Sequence, residues 1–164
     1  QSNYTTFGAG VAIPGTGISL QNRGANFSLD EGSDNCLAGG KRSYHTIIPG
    51  FLMRDGEAVG PFGVMGAFMQ PQGQAELIIN PLDYHMNPQE ALDAPRIQWI
   101  GGKKLQLERE AGEDIAQQLR SMGHQVELID DRISMGRGQI IWRMEDGTLA
   151  GGTEPRCDGT VAAW

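Results

Sequence analysis

Apolar positions in this chain come in short bursts broken by Gly, Asn, Asp and Pro, and only the middle carries the longer spacing that a helix needs. Residues 11–13 and 18–21 read as short strands, followed by a polar loop over 30–40. Thr46-Ile47-Ile48 and Phe51-Leu52-Met53 then run into Arg54-Asp55-Gly56-Glu57, an Asp-Gly turn that predicts a hairpin. Pro49 lacks an amide proton, so it points to an edge position or a bulge. Ala75, Leu77, Ile78, Ile79, Leu82 and Met86 predict a largely buried helix over 69–86, with Pro71 tolerated in its first turn and Pro81 bending it near its end.

A second, shorter helix is better marked. Asn87 is its N-cap, Pro88 its first residue, and Glu90 stands where a carboxylate can reach back to the N-cap amide. Pro95 ends it near Ala94. Strands over 97–100 and 104–108 flank Gly101-Gly102, and a helix over 113–122 carries Ile115, Leu119 and Met122 at helical spacing before Gly123 stops it. Strands over 126–129, 139–144 and 148–151 complete the pattern, the last two joined by Glu145-Asp146-Gly147. Strands, then helices, then strands, joined by hairpin turns, predict an α+β fold with mainly antiparallel sheets.

At 164 residues the chain has the length of one domain, so 1–164 is expected to fold as a unit around one core. Its 24 glycines, about twice the usual share, are scattered and mark tight connections rather than disorder. A formal charge of −7, with no Lys/Arg cluster, argues against nucleic acid as a partner. No stretch approaches a membrane span. Cys36 and Cys157 lack a CxxC arrangement and read as free thiols, the cytosolic default.

Candidate chemistry is sparse. Gly8-Ala9-Gly10 lacks the third glycine of a dinucleotide loop, and Gly136-Arg137-Gly138 reads as a turn before a strand rather than an anion cradle. His45, His85 and His124 have no metal-ligand spacing, so neither metal nor cofactor is expected. No G-x-S-x-G elbow occurs, and neither Cys adjoins a His. Lys41-Arg42-Ser43-Tyr44-His45-Thr46 gathers polar and cationic groups before an apolar strand, either as a solvated entrance or as a rim for a carboxylate.

Several segments, taken in order, resemble the small subunit of the gamma-glutamyltransferase family. They are Asn3-Tyr4-Thr5-Thr6-Phe7-Gly8, Pro14-Gly15-Thr16-Gly17, Lys41-Arg42 with Pro49, the turn from Gly63 to Gly66, Asp93-Ala94-Pro95-Arg96 and Glu154-Pro155-Arg156. The resemblance implies the αββα sandwich of N-terminal-nucleophile hydrolases, with its first strands missing here. It also implies a large subunit of the same precursor as partner, in an oligomer, and a small-molecule amide as substrate. The family's freed N-terminal Thr attacks a gamma-glutamyl amide, and an acyl-enzyme passes the acyl group to water or an amine. Gln1 has no nucleophilic atom, so that Thr is expected upstream of it. A catalytically inactive fragment and a carboxylate-binding module remain alternatives.

Carried over residue by residue, the resemblance places the oxyanion-hole amides on Gly66 and Ala67, the latter requiring an unstrained φ. Asn3 falls where the family has an Asn near substrate and nucleophile. Arg23 and Asn26 replace a Gln and an Asp that hold the substrate ammonium, and His45 and Thr46 replace paired serines that grip its carboxylate. Exchanging an anion for an amide beside a new cation disfavours an ammonium; a charge pair at about 4 Å is worth about 4 kcal/mol at an effective dielectric of about 20. The expected acyl group therefore keeps a distal carboxylate and lacks the α-ammonium, as in glutaryl-type amides or oxamate, with Arg23 and His45 touching the carboxylate.

Overall fold

A computed structural model describes residues 2–164, so the reading of Gln1 lies outside the described residues. The chain forms two compact units, Gln1–Ile48 and Pro49–Trp164.

The first unit is built from turns. Instead of two strands at 11–13 and 18–21, it holds a ribbon with a single bridge between Ala12 and Ser19. Ile13 N donates to Ile18 O and Leu20 N to Val11 O, each at 2.9 Å, around Pro14-Gly15-Thr16-Gly17. Among the described residues no third segment pairs with this ribbon, and Val11, Ile13 and Ile18 stay exposed, so the apolar face that makes a strand worthwhile is not covered. Gly8 (φ +74) closes the ribbon's base, where an added Cβ would lie 2.2 Å from Leu20 O. A short 3-10 turn, Arg23–Asn26, follows.

The second unit carries both sheets. β1 (Gly50–Arg54) and β2 (Glu57–Met65) form the expected hairpin, with Asp55 (φ +52) and Gly56 (φ +85) in the two left-handed positions of a type I′ turn. Thr46-Ile47-Ile48 is not part of it, because pairing starts only after Pro49. β1 is indeed an edge strand with an irregular register at Leu52/Met53. β6 (Arg137–Arg143) and β7 (Leu149–Thr153) complete a four-stranded antiparallel sheet of order β1-β2-β6-β7. β3 (Ile97–Gly101), β4 (Lys104–Glu108) and β5 (Gln125–Ile129) form a second sheet, in which β4 and β5 are the one parallel pair. The fold is α+β with mainly antiparallel pairing.

Two helices cover one face of the larger sheet. α1 (Gln70–Tyr84) continues for three residues past Pro81 and ends on His85 (φ +57). It buries one stripe, Gly73, Leu77 and Pro81, and leaves Ile79 and Leu82 exposed, so it is not the largely buried helix that its apolar content predicted. α2 (Pro88–Asp93) has the predicted capping box: Asn87 Oδ1 accepts from the Gln89 and Glu90 amides at 2.9 Å, and Glu90 Oε2 accepts from Asn87 N at 2.8 Å. Leu77 and Leu92 pack fully buried against Phe62, Val64 and Ile140, each contributing about 2 kcal/mol of burial. α3 (Glu113–Ser121) leads from β4 to β5 and stops at Gly123 (φ +95). Its buried contact is Ala116, whereas Ile115 and Met122 face outward.

The sheet's other face is different. Phe51, paired with Pro61, and Met65 and Ile141 are all exposed there, and Val161 lies beside Gly151. α1 also reaches the smaller sheet's edge, where Glu76 Oε1 accepts from Ile97 N and Gln72 Oε1 from Trp99 N.

Candidate functional site

β2 ends at Met65, and the backbone turns through Gly66 and Ala67 into the 3-10 turn Ala67–Met69. These are the first amides of a helical segment, which have no partner within it. Neither Gly66 N nor Ala67 N donates to any acceptor among the described residues. Two adjacent free amides at a partly exposed turn can stabilise a developing oxyanion. Ala67 does not have the unstrained φ expected of it: it stands at +53°, where Cβ crowds the backbone at a cost of roughly 1–2 kcal/mol. Gly66 is extended, and its lack of a side chain serves packing, since a Cβ there would lie 2.9 Å from Gly136 Cα.

Gly136 (φ +79) is in turn held by a buried charge network that the sequence did not reveal. Arg96 Nη1 donates to Met135 O at 3.0 Å and Gly136 O at 3.1 Å, and its Nη2 to Glu154 Oε2 at 2.7 Å. Glu154 Oε2 also accepts from Gly138 N at 2.7 Å. Arg156 bridges Glu154 (Nη1 to Oε1, 2.7 Å) and Glu108 (Nε to Oε1, 2.6 Å), and caps the last carbonyls of α2 at Leu92 and Ala94. All four side chains are almost fully buried. The Asp93-Ala94-Pro95-Arg96 and Glu154-Pro155-Arg156 segments thus work as a framework; the signal was an Arg straight after a helix-ending Pro and a second Glu/Arg pair.

Electrostatics in this framework are uneven. Burial pushes Glu108 upward, but hydrogen bonds from Arg156 and from Arg96 N outweigh it and hold the carboxyl below its usual range. Glu76, on α1, goes the other way: burial raises it to about 7 against the opposing Ile97 hydrogen bond and the charges of Arg96 and Arg156. Its Oε2 is buried with no hydrogen-bond partner.

In the first unit, Arg23 is 5% exposed. Its Nε donates to Thr46 Oγ1 at 2.8 Å, its Nη1 to Ser2 O and its Nη2 to Ser2 Oγ, both at 3.0 Å. No carboxylate among the described residues forms an ion pair with it. Tyr4 links it to Asn26: the ring lies under the guanidinium, 5.7 Å from centroid to Cζ, and the hydroxyl donates to Asn26 Oδ1 at 2.9 Å. Asn26 Nδ2 is buried and unpartnered. Arg23, Asn26 and Thr46 are therefore brought together, with Tyr4 as a member that the sequence reading passed over. His45 is exposed and hydrogen-bonds to none of them. Asn3 is half-buried; its carbonyl accepts from Asn22 N at 3.1 Å. No group of three or more His, Cys, Asp or Glu among the described residues could hold a metal, and Cys36 and Cys157 are free thiols.

Comparison with known proteins gives this arrangement a context. The chain is 40% identical to the glutathione hydrolase-like YwrD proenzyme of Bacillus subtilis over 98% of its own length and 32% of the relative's. To the oxamate amidohydrolase proenzyme of Klebsiella pneumoniae it is 38% identical, over 100% of the chain and 32% of the relative. Among solved structures, cephalosporin acylase from Bacillus halodurans superposes with a TM-score of 0.95 at 59% identity, covering 99% of this chain and 31% of that one. A gamma-glutamyltranspeptidase from Pseudomonas nitroreducens gives 0.83 at 25%, covering 100% of this chain and 90% of that one. The fold is that of the N-terminal-nucleophile hydrolases. The chain spans about a third of the length of the curated relatives it matches. With the gamma-glutamyltranspeptidase family model matching residues 1–164, this chain belongs to the gamma-glutamyltranspeptidase family.

Proposed function

We propose that the chain is the small-subunit portion of an amide hydrolase or acyltransferase that works through an acyl-enzyme and takes acyl groups with a distal carboxylate and no α-ammonium. The observation that carries this reading is Arg23: a buried guanidinium with no carboxylate ion-pairing with it among the described residues. Burying a charge without a counter-ion is costly, and a substrate carboxylate removes the cost on binding. Arg23 has five N–H groups; its donations to Thr46 and Ser2 use one each on Nε, Nη1 and Nη2 and leave one hydrogen on each terminal nitrogen. Asn26 replaces an anion nearby, which leaves a substrate ammonium without its partner.

The nucleophile in this reading is a Thr supplied from outside these 164 residues. It attacks the amide carbonyl, its own amine accepting the proton. Gly66 N and Ala67 N receive the developing oxyanion, each such donor being worth about 3 kcal/mol of barrier. Collapse expels the amine, and water or another amine then releases the acyl group. Partnership with a large subunit is supported by the relatives' greater length and by the uncovered apolar face at Phe51, Met65 and Ile141, which is the kind of surface another chain covers. The name of the Bacillus halodurans relative, a cephalosporin acylase, agrees with an acyl group other than gamma-glutamyl.

Assaying the intact protein on glutaryl-p-nitroanilide and gamma-glutamyl-p-nitroanilide tests the proposal. The glutaryl compound is expected to be the better substrate in kcat/KM. Preference for the glutamyl compound removes the carboxylate assignment, and saturable binding of both without product removes the enzymatic one.

A further inference from the structure

Tyr4 is the least expected member of the Arg23 cluster. Its φ is +81°, a left-handed conformation that a bulky aromatic residue rarely adopts. Strain of that kind persists where the surroundings over-determine it, and functional sites are where it gathers. Two contacts hold Tyr4 there: the ring against the Arg23 guanidinium at 5.7 Å, and the hydroxyl to Asn26 Oδ1 at 2.9 Å. With Oδ1 engaged, the free end of the Asn26 amide is Nδ2, which can only donate. That nitrogen is buried and has no acceptor among the described residues. Buried donors are almost always satisfied, so one left bare calls for an acceptor from a ligand.

We propose that Tyr4 is a specificity-determining residue, whose hydroxyl turns the Asn26 amide so that Nδ2 joins the spare N–H groups of Arg23 in binding the substrate's distal carboxylate. This rests on the reading of Arg23 given under Proposed function. Donors alone face the ligand in this arrangement. A carboxylate satisfies them, whereas an ammonium or a methyl group leaves Nδ2 bare. Without the hydroxyl, the amide is free to present either end, and discrimination by charge weakens.

The test compares the intact protein with its Tyr4→Phe and Tyr4→Leu variants on glutaryl- and butyryl-p-nitroanilide, with glutarate as competitive inhibitor. Tyr4→Phe is expected to lower the glutaryl-to-butyryl ratio of kcat/KM on the order of tenfold, the cost of one misdirected hydrogen bond to a charged ligand, and to weaken glutarate inhibition by a similar factor. Tyr4→Leu, which also removes the ring from Arg23, is expected to lower the ratio further. A purely structural Tyr4 lowers both substrates together; an unchanged ratio, or an equal fall in both, overturns the proposal. If Tyr4→Phe accumulates but turns over neither substrate, calorimetry with glutarate reads the same loss, and undiminished binding overturns it. A wild-type protein without preference for glutaryl over butyryl instead refutes the Arg23 reading on which the inference stands.

Discussion

Replacing Glu76 by Gln should reverse part of the pH dependence of stability. Glu76 is pushed up to about 7 in the folded protein, whereas an unfolded chain releases its proton near the ordinary glutamate value of 4.5. Between those values the native state binds more protons, so the stabilisation present at low pH is lost as pH rises through 7. That difference corresponds to about 3 kcal/mol. Gln cannot ionise, and its amide oxygen can still accept from Ile97 N. Glu76→Gln is therefore expected to be more stable than wild type by up to about 3 kcal/mol at about pH 8.5, with the gap shrinking to under about 1 kcal/mol at about pH 5. Glu108, held below its usual range, loses its contribution as pH falls; it is present in both proteins and cancels in the difference. Urea unfolding of the intact protein and the variant across this range reads the effect. Parallel curves, or a variant increasingly destabilised at high pH, would refute the reasoning, because they would mean that the ionised carboxylate is well paired with Arg96 and Arg156.

Ala67→Gly removes the left-handed strain and keeps the amide, so it should stabilise the protein by about 1 kcal/mol with kcat little changed; thermal unfolding and steady-state kinetics check this. Gly136→Ala puts a Cβ at φ +79, 2.8 Å from Met65 O, and should displace the turn against Gly66, lowering kcat by about 10²-fold while KM changes little. Arg156→Met leaves Glu108 and Glu154 without their shared cation and should cost about 3–5 kcal/mol in urea unfolding. Residues 1–164 produced alone should self-associate through Phe51, Met65 and Ile141 in light scattering; a well-behaved monomer contradicts the idea that this face awaits a partner.

What could be read from sequence was local. The α2 capping box and the Asp55-Gly56 hairpin depend on residues at most three apart, so both stood in the chain as written. Strands at 11–13 and 18–21 failed because a ladder needs covered faces and further partners, which residue order does not announce. Helix content was legible but facing was not: α1 and α3 turn apolar residues to the outside. The Arg96–Glu154–Arg156–Glu108 framework joins positions up to 58 apart, and so the motif arginines carried no role until their acceptors were known. Arg23, Asn26 and Thr46 were singled out through family resemblance, whereas Tyr4 and the exposed setting of His45 emerged only from three-dimensional contacts.

The grip of α1 on β3 limits how the smaller sheet can grow. Ile97 N and Trp99 N point away from β4, yet Glu76 and Gln72 have already claimed them, so no passing segment can zip onto that side. Any additional strand must enter this sheet alongside β5, and recruitment into fibrillar stacks through β3 is blocked by two side chains one helical turn apart.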